Sequence, residues 1–150
     1  MDKRTRVLVV DDDETIRNTM KAILEDEGYT VDLAASGSEA ILKTEQTTYN
    51  IALLDIRLPD MEGVELLKLM KDTFPRTRKI MVTGYPSMQN AIAALNKKAD
   101  AYLVKPVNID ELLNTVKDQL QQQGNEREFS EQKVAEFIEA RVKELPPNNA

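Results

Sequence analysis

With 150 residues, the chain has room for one ordinary globular domain and one additional helix, which excludes a pair of complete domains. Its 26 acidic against 20 basic residues leave a net charge of -6, which excludes broad electrostatic binding to nucleic acid or to an anionic membrane. The lack of cysteine and histidine removes disulfides, thiolate or imidazole metal ligation, the usual neutral-pH general base and any phosphohistidine carried by this chain.

The basic start, Met1 to Arg6, is followed by an apolar run of only four residues, too short for a signal peptide, and no later stretch is apolar enough to span a bilayer. A cytoplasmic protein without a membrane partner is expected. Short β-branched runs then alternate with segments whose apolar residues recur every three or four positions. Five strands are predicted, at Val7 to Val10, Thr30 to Ala34, Asn50 to Leu54, Lys79 to Val82 and Ala101 to Val104. A helical pattern follows each.

The first helix presents Ile16, Met20, Ile23 and Leu24 and stops near Gly28, a residue suited to the left-handed conformation past a helix end. Ser36 or Ser38 caps the second, with Ala40 and Ile41 inward. Val64, Leu66, Leu67 and Met70 serve the third, which Pro75 ends. Ser87 caps the fourth, with Met88, Ile92 and Leu95 as its apolar positions. Asn108 caps the fifth, whose inward stripe is Ile109, Leu112, Leu113, Val116 and Leu120. Gln121 to Asn125 reads as a helix end and short linker, and Ser130 then caps one more helix to about Leu145, stopped by Pro146-Pro147. Residues 1–123 are thus assigned to one (βα)5 domain, and 124–150 to a linker and C-terminal helix with a disordered end.

Such alternation gives an α/β fold with a doubly wound parallel sheet, whose ligands bind at the carboxyl ends of the strands. Four polar groups arrive there: Asp11-Asp12-Asp13 after the first strand, Asp55 after the third, Thr83 after the fourth and Lys105 after the fifth. Each alone has an ordinary explanation. The aspartates cap a helix, Asp55 is a loop acid, Thr83 bonds nearby backbone and Lys105 is a solvated cation. Independent structural needs do not explain all of them at one sheet edge. Carboxylates crowded in one crevice require raised pKa values or a hard cation, and magnesium, with manganese as a substitute, suits two carboxylates and a backbone carbonyl.

Through Val9-Val10-Asp11-Asp12-Asp13, Leu53-Leu54-Asp55-Ile56-Arg57-Leu58-Pro59, Met81-Val82-Thr83-Gly84 and Tyr102-Leu103-Val104-Lys105-Pro106, the chain resembles the receiver domain of two-component response regulators over about residues 5 to 122. Thr83-Gly84-Tyr85-Pro86-Ser87 is similar to the nitrogen-regulator type. The resemblance implies a flavodoxin-like strand order, 2-1-3-4-5. It implies phosphoryl transfer to Asp55 from a sensor histidine kinase or a phosphotransfer protein, in a signalling module that catalyses only its own phosphorylation and dephosphorylation. Asp12 is then a direct magnesium ligand with Asp55 and the backbone carbonyl of Arg57, and Asp11 acts through water. Lys105 neutralises the phosphoryl oxygens, while Thr83 and the backbone N–H groups at Arg57 and Gly84 donate to them. A cis peptide joins Lys105 to Pro106.

The same resemblance implies that Thr83 moves toward the phosphate and Tyr102 follows, altering a surface made by the fourth helix, fifth strand and fifth helix. Tyr102 equally reads as a strand aromatic with its hydroxyl in water. Lys98 stands where the family often has glycine, and Arg57 is long enough to shield an acyl phosphate, which predicts slow self-dephosphorylation. A homodimer through the fourth helix, fifth strand and fifth helix, or through the C-terminal helix, is expected. Between Glu126 and Leu145 six acidic residues outnumber four basic ones, so that helix is not expected to bind DNA. Its Ala135, Ile138, Val142 and Leu145 follow heptad spacing, and packing on its own domain accounts for them as well as a dimer does.

Two rival readings use the same residues. Asp11-Asp12-Asp13-Glu14-Thr15 fits the Asp-x-Asp-x-Thr pattern of haloacid-dehalogenase-type phosphohydrolases, with Asp11 as nucleophile, but that reading gives Asp55 no role and finds no later strand with paired acids. A receiver used only for docking would not need every residue of the chemistry.

Overall fold

The runs at 7–10, 51–54 and 79–82 are strands buried on both faces, as the centre of a parallel sheet requires, while those at 30–34 and 101–104 are half-buried strands at its edges. The computed structural model describes residues 5–84, 87 and 99–145. Its five strands are β1 (Arg6–Val10), β2 (Thr30–Ala34), β3 (Ile51–Asp55), β4 (Arg78–Thr83) and β5 (Ala101–Val104). All pair in parallel in the order β2-β1-β3-β4-β5. The helices are α1 (Glu14–Asp26), α2 (Gly37–Gln46), α3 (Gly63–Leu69) and α4 (Ile109–Glu144). The fold is flavodoxin-like α/β, as expected. The fourth predicted helical segment, with Met88, Ile92, Leu95 and the Lys98 departure, lies outside the described residues, as do residues 146–150.

Strand alternation divides the core between the two sheet faces. Leu8, Val10, Ala52, Leu54 and Met81 pack with Ala40 of α2 and Leu66 and Leu67 of α3. On the other face, Val7, Val9, Ile51, Leu53, Ile80 and Leu103 pack with Met20 and Leu24 of α1 and Leu112 and Val116 of α4. Each fully buried side chain of this size contributes about 1.5–3 kcal/mol from apolar area removed from water. Caps fix where the helices begin. Ile16 N–H donates to Asp13 Oδ1 (3.0 Å), Glu39 N–H to Ser36 Oγ (3.1 Å) and Glu111 N–H to Asn108 Oδ1 (3.2 Å). Gly28, at φ 96°, follows the end of α1 and takes the left-handed conformation that favours glycine there.

The end of the chain differs from expectation. No break occurs at 121–125, and no separate helix starts at Ser130. Instead α4 is one helix of 36 residues. Gln, Glu, Lys and Arg are good helix formers, so Gly124 is the weak point, at a cost of about 1 kcal/mol relative to alanine. Within the stretch read as a linker Gln123 is buried and anchored to the sheet, as is Gln119 just before it. Gln123 Nε2 donates to the carbonyls of Asn50 (3.1 Å) and Arg76 (2.8 Å). Beyond Ser130 every residue to Leu145 is exposed. No described helix is long and apolar enough to cross a membrane.

Candidate functional site at the carboxyl end of the sheet

The strand register assembles the site. Val10 pairs with Leu54, so the next residues, Asp11 and Asp55, lie side by side on the central strands. Asp55 pairs with Val82, one residue before Thr83, and Thr83 pairs with Val104, one residue before Lys105. Four strands therefore deliver the predicted groups to one edge. Lys105 Nζ donates to Asp11 Oδ2 at 2.6 Å and to Asp55 Oδ2 at 3.1 Å. The Lys105–Pro106 peptide is cis, as is Phe74–Pro75, which the sequence reading did not anticipate.

The three N-terminal acids divide their work. Asp13 caps α1. Asp11 is buried, accepts from the Asp13 N–H at 2.9 Å, and its own carbonyl accepts from Arg17 Nη1 at 2.8 Å. Asp12 is exposed at the mouth. Carboxylate oxygens of Asp11, Asp12 and Asp55 all lie within 4.8 Å of one another.

Burial pushes the Asp55 carboxyl above its ordinary range, and the Asp11 charge adds to this, although Lys105 and the Arg57 N–H pull the other way. For Lys105, burial acts downward but the bonds to Asp11 and Asp55 outweigh it, so its ammonium is held above its usual value. Among the described residues three carboxylates thus surround the Lys105 ammonium, so negative charge is in excess in the crevice. An oxygen-rich crevice with that excess is the donor set a hard divalent cation needs, so magnesium fits these residues.

The loop after β3 is pinned at three points. Arg57 N–H donates to Asp55 Oδ1 (3.3 Å), Leu58 N–H to the Met61 carbonyl (3.1 Å) and Gly63 N–H to the Ile56 carbonyl (2.6 Å). Asp60 staples the loop to α2 by accepting from Gly37 N–H (2.9 Å), Ser38 N–H (2.9 Å) and Ser38 Oγ (2.6 Å). Those bonds, the Ser38 hydroxyl's first, hold the exposed Asp60 carboxyl down at about 2. A depressed folded value gives stability that is present above the ordinary carboxylate range and lost as the pH falls from about 4 toward 2. Asp60→Asn is therefore expected to lose part of the wild type's steepening in stability across that window. Urea midpoints from pH 2 to 5 measure it, and parallel curves for the two proteins would contradict the staple.

Thr83 is fully buried, with its carbonyl accepting from the Lys105 N–H at 2.7 Å, and the Lys105 side chain lies against Gly84. Tyr102 turns inward against the core cluster of Leu8, Leu54 and Met81, not outward to water. Its hydroxyl is buried and has no hydrogen-bond partner among the described residues. Beside Lys105 runs an apolar groove between α1 and the β5–α4 loop, lined by Ile16, Met20, Ile23, Pro106, Val107 and Leu112.

Asp11, Asp12, Asp55 and Lys105 come together where the sequence suggested, but sequence reasoning missed their supports: Arg17 on the Asp11 carbonyl, Asp60 on α2, and Gly63 against the Asp55 backbone. Their spacing carries no periodic signal, because each contact joins different elements.

Comparison with known proteins agrees with this geometry. A family model described as the response regulator receiver domain matches residues 7–117. The transcriptional regulatory protein YkoG of Bacillus subtilis is 32% identical over 84% of this chain and 55% of its own length. ZraR of Klebsiella oxytoca is 37% identical over 76% of this chain and 26% of its own. The chain thus spans about half or less of the length of these curated relatives. Among solved structures, a CheY-like response regulator receiver domain protein from Methanospirillum hungatei gives a TM-score of 0.78 at 49% identity, covering 83% of this chain and 99% of that one. The beryllofluoride-activated NtrC4 receiver domain dimer gives 0.74 at 36% identity, covering 79% and 98%.

Proposed function

The chain belongs to the response regulator receiver domain family, a signalling module of two-component systems with an acidic pocket suited to phosphorylation, and from that premise we propose that it accepts a phosphoryl group on Asp55 from a sensor histidine kinase or phosphotransfer protein. The observation that carries this is the convergence of Asp11, Asp12 and Asp55 on one side of Lys105. Asp55 is the acid at the end of a central strand, next to a lysine and with an N–H at its flank, so its carboxylate can form the new P–O bond as the donor's own bond to phosphorus breaks and the donor leaves, with cationic and N–H groups beside the phosphoryl oxygens.

Asp12, Asp55 and the Arg57 carbonyl would hold magnesium, with Asp11 acting through water; when bound, the ion supplies charge neutralisation at the phosphoryl oxygens. The hydrogen bonds flanking Arg57 are made by Ile56 and Leu58 to Gly63 and Met61, while its N–H reaches Asp55. In extended backbone the carbonyl of a residue lies on the same side as its N–H, which supports this ligand. Lys105 counters charge on the acceptor, and Thr83 with the Gly84 N–H would donate to phosphoryl oxygens. The groove along α1 offers an apolar footing for the phosphodonor beside the acceptor.

Switching uses Thr83 and Tyr102. Met81 pairs with Tyr102 and Thr83 lies two residues on, so both side chains occupy one sheet face. A buried hydroxyl without a described partner is a group whose position a moved threonine would change. The surface altered is that of the fourth helical segment, β5 and the start of α4, available to a second copy or an output partner. Residues 1–123 form the receiver unit in this reading, and 124–150 the connection leaving it.

Intact mass after incubation with magnesium and acetyl phosphate tests the proposal. The wild type should gain one hydroxylamine-labile phosphoryl group, and Asp12→Ala or a chelator should prevent it. Continuous phosphate release that Asp11→Asn abolishes and Asp55→Asn does not would replace this reading with the phosphohydrolase one.

A further inference from the structure

At the end of the sheet opposite the acidic pocket, the first residue of β4 grips α4. Arg78 is 5% exposed. Its guanidinium donates to Gln119 Oε1 (2.9 Å), Gln122 Oε1 (2.9 Å) and Glu126 Oε1 (2.5 Å). Arg76 donates to the same Glu126 oxygen (3.2 Å) and, through both terminal nitrogens, to Asp100 (3.0 and 2.8 Å). Gln123 adds a third anchor, since Asn50 Nδ2 donates to its Oε1 (3.0 Å) while its Nε2 holds the carbonyls of Asn50 and Arg76.

Gly124 lies inside this grip. A Cβ there would meet nothing within 4 Å, and its φ is not positive, so neither packing nor backbone conformation calls for glycine. Glycine in a helix interior favours opening, because the unfolded chain gains most freedom there. The bonds of Arg78 fall on both sides of it, at Gln119 and Gln122 before and Glu126 after. Beyond Ser130 the body of the domain buries no residue of the helix.

We infer that Arg78, supported by Arg76, is a clamp that holds α4 continuous across Gly124, so that residues 125–145 leave the domain as a rigid arm, and that releasing the clamp turns Gly124 into a hinge. A buried guanidinium demands acceptors for its donors, and here three successive ones belong to the helix. The bonds are therefore directional and tie the helix's rotation and position to β4. With the helix unbroken, exposed Val134, Ile138 and Leu145 continue the face by which Leu112, Val116 and Leu120 pack on the sheet, and Val134 and Ile138 come out beside the exposed Phe74. With a hinge, that apolar face would point anywhere. β4 carries the clamp at its first residue and Thr83 at its last, so one strand touches both ends of the molecule. The inference stands whether or not Asp55 is phosphorylated.

Amide hydrogen exchange on the full chain tests it, comparing wild type, Arg78→Gln, Glu126→Gln and each of these with Gly124→Ala. Exchange in residues 121–129 should rise about tenfold in both single variants while β1, β3 and residues 109–116 keep their rates. Gly124→Ala should restore most of the protection, which a general loss of stability would not allow. Unchanged exchange in both single variants overturns the clamp. So does a loss that spreads evenly through the sheet and that Gly124→Ala fails to rescue. If Arg78→Gln does not fold, the exposed Glu126→Gln decides alone.

Discussion

Asp55→Asn is expected to abolish phosphoryl uptake from acetyl phosphate while leaving the protein folded and, without magnesium, more stable than the wild type. The neighbouring acids are poorly placed to substitute: Asp11 is committed to Lys105 and the Asp13 N–H, and Asp12 is exposed at the mouth. The stability gain follows from sign. Burial raises the Asp55 carboxyl, so the folded state disfavours its ionised form. In the pH window between the ordinary carboxylate value and the raised one, stability falls as pH rises, and the deficit persists at neutral pH. An amide of the same shape removes that deficit and one of three mutually repelling charges.

Magnesium should distinguish the two proteins. At a concentration of about 100 times its Kd it stabilises the wild type by about 2.7 kcal/mol, and it should do little for the variant. As pH falls through the raised Asp55 value, magnesium affinity should weaken earlier than for an ordinary carboxylate, because binding competes with the proton. Urea midpoints with and without magnesium measure these effects. A variant less stable than the wild type in magnesium-free buffer would show that the bond to Lys105 outweighs the burial and repulsion.

Gly63→Ala is expected to have the largest effect on stability. An added Cβ would sit 2.1 Å from the Asp55 carbonyl oxygen and 3.0 Å from its carbon, with Met81 Cε at 2.9 Å. The methionine can turn aside, but the backbone of β3 cannot, and Gly63 N–H is also bonded to Ile56 O at 2.6 Å. Overpacking against backbone costs about 3 kcal/mol. Relief by shifting β3 would move Asp55, so magnesium affinity should drop in whatever fraction folds. Gly37→Ala offers a contrast, because the nearest atoms its Cβ would meet belong to the flexible side chain of Met61 and not to backbone. It should lose much less. Urea unfolding of the two variants decides, and a Gly63→Ala protein within about 0.5 kcal/mol of the wild type would refute the close approach.

The strands and most helix starts were legible because their signals are local. Val7 to Val10 and Ile51 to Leu54 are continuous apolar runs because both faces of these strands are covered. Asp13, Ser36 and Asn108 cap helices with their own side chains a few residues on, and Gly28 ends one by its backbone freedom. Asp11, Asp12, Asp55, Thr83 and Lys105 were legible as a group because in a parallel sheet all strands end at one edge, so chain order alone brings them together.

The glutamines misled because their partners lie elsewhere in the chain. Gln122 and Gln123 read as part of a polar linker until Arg78 and Asn50, more than 40 residues away, are seen to satisfy them. Asp60 and Gly63 were unreadable for the same reason, since a staple onto Gly37 and Ser38 and a close approach to the Asp55 carbonyl exist only after the loop has folded.

The sequence by itself determined the fold class, the edge where the chemistry sits and the residue types gathered there, because periodicity and strand-end position are properties of neighbours along the chain. Only the tertiary structure decided how the acids divide the pocket, where Tyr102 turns, and that α4 runs unbroken past Gly124. Those outcomes depend on hydrogen bonds and steric contacts between segments that the chain order keeps apart.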